Sequence, residues 1–156
     1  MIKLEGKFKY LIGMMRILTL LSAFEKPKNY QMTFDKLILL DFYMRFPKTM
    51  MNLVNYSFDF EELYSFYHSY PDREYYQEML RVLISKKLIV KEIQSPNFIY
   101  RITPMGIDLV KSIENKYSYT LINTALLIKK NTSKLSEARI KEEIYSKSLN
   151  NIHLLI

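Results

Sequence analysis

The chain has 156 residues and a formal net charge of +7, and 49% of its residues are hydrophobic, which is typical of a single folded domain. It contains no cysteine, which excludes disulfide bonds and thiolate chemistry. The histidines His68 and His153 lie far apart without a cysteine partner, so we expect no metal site and no cofactor.

The first predicted element is an amphipathic helix over residues 7–24. Apolar side chains recur there at helical spacing: Phe8, Leu11, Ile12, Met15, Leu18 and Leu21. Lysines ahead of an apolar run also resemble a secretory signal, but Arg16 interrupts the run and no small-residue cleavage site follows it. Because no stretch of 18 apolar residues is present, we expect a cytoplasmic protein without a membrane span.

A second helix is predicted to begin after Thr33 as its N-cap and to stop at Pro47. It is apolar on nearly all sides, which is typical of a central core helix and equally of one that also meets a partner chain. The residues assigned to partner docking are Leu39, Phe42, Tyr43 and Phe46, with Leu154 and Leu155 from the apolar C-terminal segment. Asp41 and Arg45, four residues apart, are expected to pair.

The segment "FDFEELYSFYHSY", residues 58–70, predicts a short helix that ends before Pro71. Glu61 and Glu62 are expected to face solvent there. Adjacent helical residues diverge, and no nucleophile or metal ligand is near, so a solvated face is favoured over a catalytic carboxylate pair. His68 is expected to be a packed or surface histidine.

The helix that follows is predicted to begin after Asp72 as its cap. Its inward stripe is Tyr76, Met79, Leu80, Leu83 and Ile84. Two β-favouring runs, "LIVKEI" and "FIYRI", then flank the turn "QSPN" and predict a hairpin. Thr103 and Pro104 are the predicted N-cap and first residue of the next helix.

Helices followed by a hairpin and a further helix predict a mainly α fold with a small β-hairpin wing. This is the order of a winged helix-turn-helix domain, here with extra N- and C-terminal helices. We assign residues 1–115 to that domain with its N-terminal helix. Residues 116–156 are assigned to a C-terminal helical extension, which in small winged-helix regulators often forms a homodimer.

In such a fold the helix before the hairpin enters the major groove of DNA. The candidate DNA contacts are Arg73, Gln77, Arg81 and Lys86 on this helix and Lys91 and Arg101 on the strands. Glu74 and Glu78 lie among them, and the wing tip has no basic residue. Residues 51–100 carry five Lys or Arg against seven acids, whereas residues 1–50 carry nine against four. The pattern therefore disfavours sequence-specific duplex reading.

Two motifs resemble a known family. The first is a Leu-Leu-Asp-aromatic helix that ends in Phe-Pro, and the second is a strand that leads into a Thr-x-x-Gly helix start. Their residues are Leu40, Asp41, Phe42, Phe46 and Pro47, then Tyr100, Thr103 and Gly106. Over roughly residues 10–115 the chain resembles the middle-component proteins of bacterial ABC-three-component systems, which include the small subunit of Lamassu-type antiphage complexes.

The resemblance implies a non-catalytic accessory subunit. Such a subunit joins an SMC-like or Rad50-like ATPase to an effector, often a nuclease. Apart from the resemblance, basic residues in the flanking helices could still contact double-stranded DNA nonspecifically. The sequence contains no Gly-rich phosphate loop and no Ser-His-Asp arrangement, so we expect no enzyme activity. The alternative is a homodimeric winged-helix transcription regulator.

Overall fold

The computed structural model describes residues 4–51 and 60–153; for Leu4, Glu5 and Phe60 it describes the backbone alone. Within this part of the chain, helices dominate and two strands form one small sheet. The elements are α1 (Leu4–Ala23), α2 (Phe34–Arg45), α3 (Pro47–Met51), α4 (Phe60–Leu63), a 3₁₀ helix (Ser65–His68), α5 (Arg73–Ser85), β1 (Ile89–Gln94), β2 (Asn97–Ile102), α6 (Pro104–Ser112), α7 (Lys116–Thr132) and α8 (Glu137–His153).

Side-chain caps determine where several helices begin. A cap oxygen accepts a hydrogen bond from a backbone N–H in the first turn, which would otherwise have no partner. The three predicted caps are confirmed: Thr33 accepts from Lys36 at 3.2 Å, Asp72 from Tyr75 at 3.2 Å and Thr103 from Gly106 at 3.1 Å. The helix boundaries in this region could therefore be predicted from local chemistry.

The hairpin is antiparallel, as predicted. Its register runs from Ile89 opposite Ile102 to Gln94 opposite Asn97, and Ser95 and Pro96 form the turn. Lys87, just before β1, has a φ of 60°. This left-handed residue ends α5, because the N–H of Leu88 then returns to the carbonyl of Leu83 at 3.0 Å.

Gly106 lets α6 approach the start of the hairpin. A Cβ at this position would overlap the carbonyl oxygen of Leu88 and the side chain of Ile102. Only a residue without a side chain fits this approach, since a backbone carbonyl cannot move aside like the end of a flexible side chain. The glycine of the Thr-x-x-Gly motif therefore has a packing role.

The hydrophobic core is centred on α2, whose Leu37, Leu40 and Tyr43 are at most 1% exposed. The helices α1, α7 and α8 all pack against it. Ile128 of α7 and Ile140 of α8 are fully buried in the same core. The core therefore continues across the boundary that the sequence placed between residues 115 and 116.

Some residues of the predicted apolar stripes are exposed. Phe8 and Leu11 are 63% and 54% exposed, because burial in α1 is concentrated in its second half, residues 17–21. Ile84 is 37% exposed at the end of α5, where the chain turns into the hairpin. None of the described helices is long and apolar enough to cross a lipid bilayer.

Candidate interaction surfaces

A buried ion pair joins the first two long helices. Asp41 is completely buried and accepts hydrogen bonds from Arg16 Nε at 2.9 Å and Arg16 Nη2 at 3.1 Å. The hydroxyl of Tyr76 on α5 donates to the same carboxylate. The Asp of the Leu-Leu-Asp-aromatic motif therefore ties α1, α2 and α5 together.

Burial and the charges of this cluster shift the pKa values of Arg16 and Tyr76. Burial alone would lower the pKa of Arg16, but Asp41 outweighs it and the net pKa is raised. Burial, followed by Asp41, also raises the pKa of Tyr76. The predicted pairing of Asp41 with Arg45 is wrong, because Arg16 occupies the carboxylate inside the protein. Arg45 instead lies on the surface over the ring of Phe46, 5.1 Å from its centroid.

Most of the docking residues predicted on α2 are not on the surface. Phe42, Tyr43 and Phe46 are 5%, 1% and 4% exposed. The hydroxyl of Tyr43 donates to Glu143 of α8 at 2.8 Å, so α8 covers this side of α2. These three residues are core residues of the chain itself, which corrects the assignment to a docking face. Leu154 and Leu155 lie outside the described residues.

Leu39 is half-buried and lies on the wall of an open apolar groove of 570 Å³. The groove runs between α2, the 3₁₀ helix with the residues after it, and α8. Its apolar lining is Ile38, Leu39, Phe66, Tyr70, Ile144 and Tyr145, and we call it the aromatic groove. Asp35, Arg73 and Lys141 contribute its polar lining. A groove with aromatic walls and a charged rim is suited to an apolar segment of a partner.

The aromatic groove presents unusually exposed tyrosines. Tyr70 is 93% exposed and Tyr145 is 58% exposed. The ring of Tyr145 meets Phe66 edge-on at 5.6 Å between centroids. Sequence reasoning missed these residues because they come from segments about 75 positions apart. The available signal was Tyr145, the one Phe, Tyr or Trp residue of α8.

Four of the six predicted DNA contacts lie in a second groove of 580 Å³ between α5 and the hairpin. They are Arg73, Gln77, Arg81 and Lys91. Arg101 instead lines a separate pocket beside Phe24 and Tyr30. Lys86 is exposed at the C-cap of α5. The structure therefore brings together only part of the predicted set.

Acidic neighbours neutralise the arginines of this set. Arg73 Nη1 lies 2.6 Å from Asp35, Arg81 Nη1 lies 2.8 Å from Glu78, and Arg101 Nε lies 3.0 Å from Glu92. A phosphate would have to compete with each carboxylate, and the counterion release that drives duplex binding is reduced accordingly. These carboxylates therefore lower the net positive charge of the surface between α5 and the hairpin.

Lys91 is also engaged within the chain. Its ammonium lies over the ring of Phe98, 4.3 Å from the centroid, and 5.9 Å from that of Tyr100. Such a cation–π contact holds the charge close to the strand. It leaves the charge unneutralised, so Lys91 is the strongest remaining candidate for a phosphate contact in this groove.

Glu62 was expected to face solvent, and that expectation is wrong. It is 5% exposed, whereas its neighbour Glu61 is exposed. Its Oε2 accepts from the backbone N–H and the hydroxyl of Thr49 at 3.0 and 2.6 Å, which caps the short helix α3. Asn151 of α8 donates to both Thr49 and the Glu62 carbonyl at 2.8 Å. Sequence spacing could not reveal these long-range partners.

Histidine and carboxylate side chains do not assemble into a cluster suited to a metal ion anywhere in residues 6–51 or 61–153. His68 is exposed and stacks on the ring of Phe46 at 5.8 Å. Burial lowers its pKa, and the nearby Arg45 lowers it further.

A family described as ABC-three component (ABC-3C) system Middle Component 2 matches residues 12–153. The chain belongs to this family. The match extends through α7 and α8, which agrees with their place in the common core. Membership in the Middle Component 2 family makes the chain an accessory component of a defence system that has partner subunits. No curated protein and no solved structure matches the chain.

Proposed function

We propose that the chain is a non-catalytic docking subunit of a cytoplasmic, Lamassu-type defence complex. It fixes a nuclease-like effector on an SMC-like ATPase and restrains the effector until phage or plasmid DNA is sensed. ATP turnover and nucleic-acid cleavage belong to the partners. Membership in the Middle Component 2 family supports the role of an accessory subunit with partners.

The observation that carries the docking role is the contrast between two surfaces. In the aromatic groove, Tyr70 and Tyr145 are exposed and can bury apolar area against a partner. On the hairpin side, Arg73 and Arg81 are paired with carboxylates of the chain itself. An exposed aromatic surface together with a neutralised basic face favours a protein partner over a duplex.

The proposal includes a winged helix-turn-helix arrangement. In it, α5 occupies the place of the recognition helix, and β1 and β2 form the wing before α6. The order of elements, the two-residue turn and the helix immediately before the hairpin support this assignment. The same arrangement could serve either DNA reading or protein docking, so our choice between the two uses is argued from the surfaces.

An affinity pull-down of the tagged chain from its native host tests the proposal. The lysate is digested with nuclease first, so that proteins joined only through DNA are lost. Mass spectrometry then identifies the retained proteins and their ratios. We expect a large coiled-coil ATPase and a second protein in fixed proportion. Recovery of the chain alone, as a homodimer, would contradict the docking role and support the transcription regulator.

Salt dependence separates these two functions further. A duplex-reading regulator binds tightly and loses affinity steeply as salt rises, whereas a docking subunit binds a duplex weakly. The charge-reversed variant Arg81→Glu with Lys91→Glu would abolish the activity of a regulator. We expect it to retain phage protection in cells, because both residues lie in the groove between α5 and the hairpin and neither lines the aromatic groove.

A further inference from the structure

A third surface adjoins the aromatic groove and shares only Tyr70 with it among the lining residues. It is a pocket of 290 Å³ where α1, the end of α2, the 3₁₀ helix and the start of α5 meet. Cationic and aromatic side chains form most of its lining, among them Lys9, Arg16, Arg45, Tyr67, His68 and Tyr75. We call it the cationic pocket. Its volume is at the lower end of the roughly 300–1,000 Å³ of small-ligand sites.

The cations of this pocket are held by aromatic rings. Lys9 Nζ lies 4.8 Å from the centroid of the Tyr75 ring, and the Tyr75 hydroxyl donates to the Lys9 carbonyl at 2.9 Å. Arg45 lies over the ring of Phe46, and His68 stacks on that ring at 5.8 Å between centroids. Ring contacts position a cation without cancelling its charge.

The charge of the pocket is only partly balanced. Asp41 neutralises Arg16 on the floor, and Asp72 lines the pocket while it caps α5. Within residues 6–51 and 61–153, neither Lys9 nor Arg45 forms an ion pair with a carboxylate. By contrast, each arginine of the predicted DNA-contact set forms an ion pair with a carboxylate: Arg73, Arg81 and Arg101.

The pKa of His68, which lines the pocket, is lowered mainly by burial. Arg45 lowers it further, Glu61 opposes this, and Lys9 adds a smaller lowering effect. The lining contains the cations Lys9, Arg16 and Arg45, whereas Asp41 balances Arg16 and Asp72 is the acidic lining residue, so positive charge exceeds negative charge there. An anion in the pocket would therefore be attracted from solvent.

Two exposed rings stand at the pocket. Tyr67 is 67% exposed and Tyr70 is 93% exposed. Exposed aromatic faces beside cations are the arrangement that holds the bases and phosphates of nucleic-acid strands. We propose that the cationic pocket binds a nucleotide unit, with its phosphate on Lys9 and Arg45 and its base against Tyr67. The nucleotide is either free or part of a single strand of DNA.

This site is distinct from the groove between α5 and the hairpin, and the two have no lining residue in common. Tyr75 and Gln77 are two positions apart on α5, which places them about 160° apart around the helix axis. A duplex that contacts Gln77 and a nucleotide in the cationic pocket, which Tyr75 lines, would therefore lie on different faces of α5.

Fluorescence anisotropy of the tag-free full chain tests the proposal. The probes are a labelled thymidine oligonucleotide, a duplex of the same length and a labelled adenine nucleotide. We expect Lys9→Glu with Arg45→Glu to weaken binding of the strand or the nucleotide by about tenfold or more. The matched control is Lys111→Glu with Lys134→Glu, two exposed lysines outside the pocket, which makes the same change in net charge. Circular dichroism confirms that both variants fold.

The three probes distinguish the sources of the nucleotide. Tight binding of the strand alone assigns the pocket to single-stranded DNA, and binding of the mononucleotide assigns it to a free nucleotide. Binding of the duplex as tight as that of the strand would contradict a pocket for a single nucleotide unit. Tyr67→Ala should weaken either one, because the base loses its stacking surface. No binding of either probe, or an equal loss in the control variant, would overturn the proposal.

Nuclear magnetic resonance locates the ligand independently, because the chain has only two histidines. A bound phosphate stabilises the protonated imidazole, so the pKa of His68 should rise on addition of the nucleotide. His153, on α8, is the internal control and should not change. A change of pKa at both histidines, or at neither, would show that the phosphate does not bind specifically beside His68 and would overturn the proposal.

Discussion

Arg16 and Asp41 lie 25 residues apart in the sequence and form a two-pronged ion pair in the interior. The Arg16 side chain is 12% exposed and that of Asp41 is completely buried. Both carboxylate oxygens accept from the guanidinium, at 2.9 and 3.1 Å. The pair fixes the position of α1 on α2, since the Asp41 carboxylate is completely buried and Arg16 is largely buried beside it.

Removal of one charge from this pair should be costly. We expect Asp41→Ala to lower the free energy of unfolding by about 3–5 kcal/mol, because it leaves Arg16 charged and buried without a partner. Chemical denaturation measures the change. The control is Asp35→Ala, which breaks the half-exposed pair with Arg73 and should cost no more than about 1 kcal/mol. Equal losses of unfolding free energy in the two variants would show that the buried pair stabilises the protein no more than the half-exposed pair does.

Gly106 should not tolerate a side chain. A methyl group there would overlap the Leu88 carbonyl, so we expect Gly106→Ala to destabilise the protein by about 1–3 kcal/mol despite the better helix propensity of alanine. Thermal unfolding monitored by circular dichroism provides the measurement. Met105→Ala, at the exposed neighbouring position, serves as the control and should have little effect. A stabilised Gly106→Ala variant would contradict the close approach of α6 to the hairpin.

Glu62 and Glu61 form a matched pair of adjacent carboxylates. Glu62 caps α3 from a buried position, whereas Glu61 is exposed. We expect Glu62→Ala to cost about 2 kcal/mol or more, because the buried groups of Thr49 lose their acceptor. Glu61→Ala should change the stability by no more than about 0.5 kcal/mol. Urea titration of both variants checks this, and a reversed order would contradict the cap.

The stability should fall at alkaline pH because of buried tyrosines. Burial raises the pKa of Tyr43 and Tyr76 above the ordinary value of 10.0, so the folded state keeps their protons while the unfolded chain releases them. Their contribution is therefore complete below pH 10 and is lost as the pH rises through the higher folded pKa. Denaturation at a series of alkaline pH values measures how steeply the free energy of unfolding falls with pH. Tyr43→Phe should make this fall less steep, and an unchanged steepness would contradict a raised pKa of Tyr43 in the folded state.

The aromatic groove is tested by a charge placed on its wall. We expect Tyr145→Glu to abolish co-purification of a partner subunit, because a carboxylate would be desolvated against Phe66 and Leu39. The control is Tyr119→Glu on α7, which is similarly exposed but lies outside the groove. Both variants should keep the melting temperature of the original chain. Partner binding that survives Tyr145→Glu would assign docking to another surface.

Local signals in the sequence predicted the caps and the hairpin, whereas the short helix α3 after Pro47 was not predicted. Thr33, Asp72 and Thr103 cap their helices as predicted, because a cap involves residues within one turn of each other. The hairpin could be predicted for the same reason, since its turn and its two strands are contiguous. These contacts depend on the neighbouring residues alone.

The candidate surfaces could not be predicted in this way. The sequence indicated an apolar docking face on α2, but α8 covers Tyr43 from 100 residues away. Leu39 remains at the surface because it lies on the wall of the groove. The apolar pattern of a helix shows which residues avoid water, and it does not show whether the chain or a partner covers them.

By itself, the sequence determined the long helices, the hairpin and the caps, since these depend on residue type and short spacing, and it showed the resemblance to a family of accessory subunits. Only the tertiary structure decided that Asp41 pairs with Arg16, that Glu62 is buried and that Arg73 pairs with Asp35. The physical reason is that charge and burial depend on every neighbour in space. For these residues the deciding neighbours include Arg16, Thr49 and Asp35, which belong to other elements of the fold.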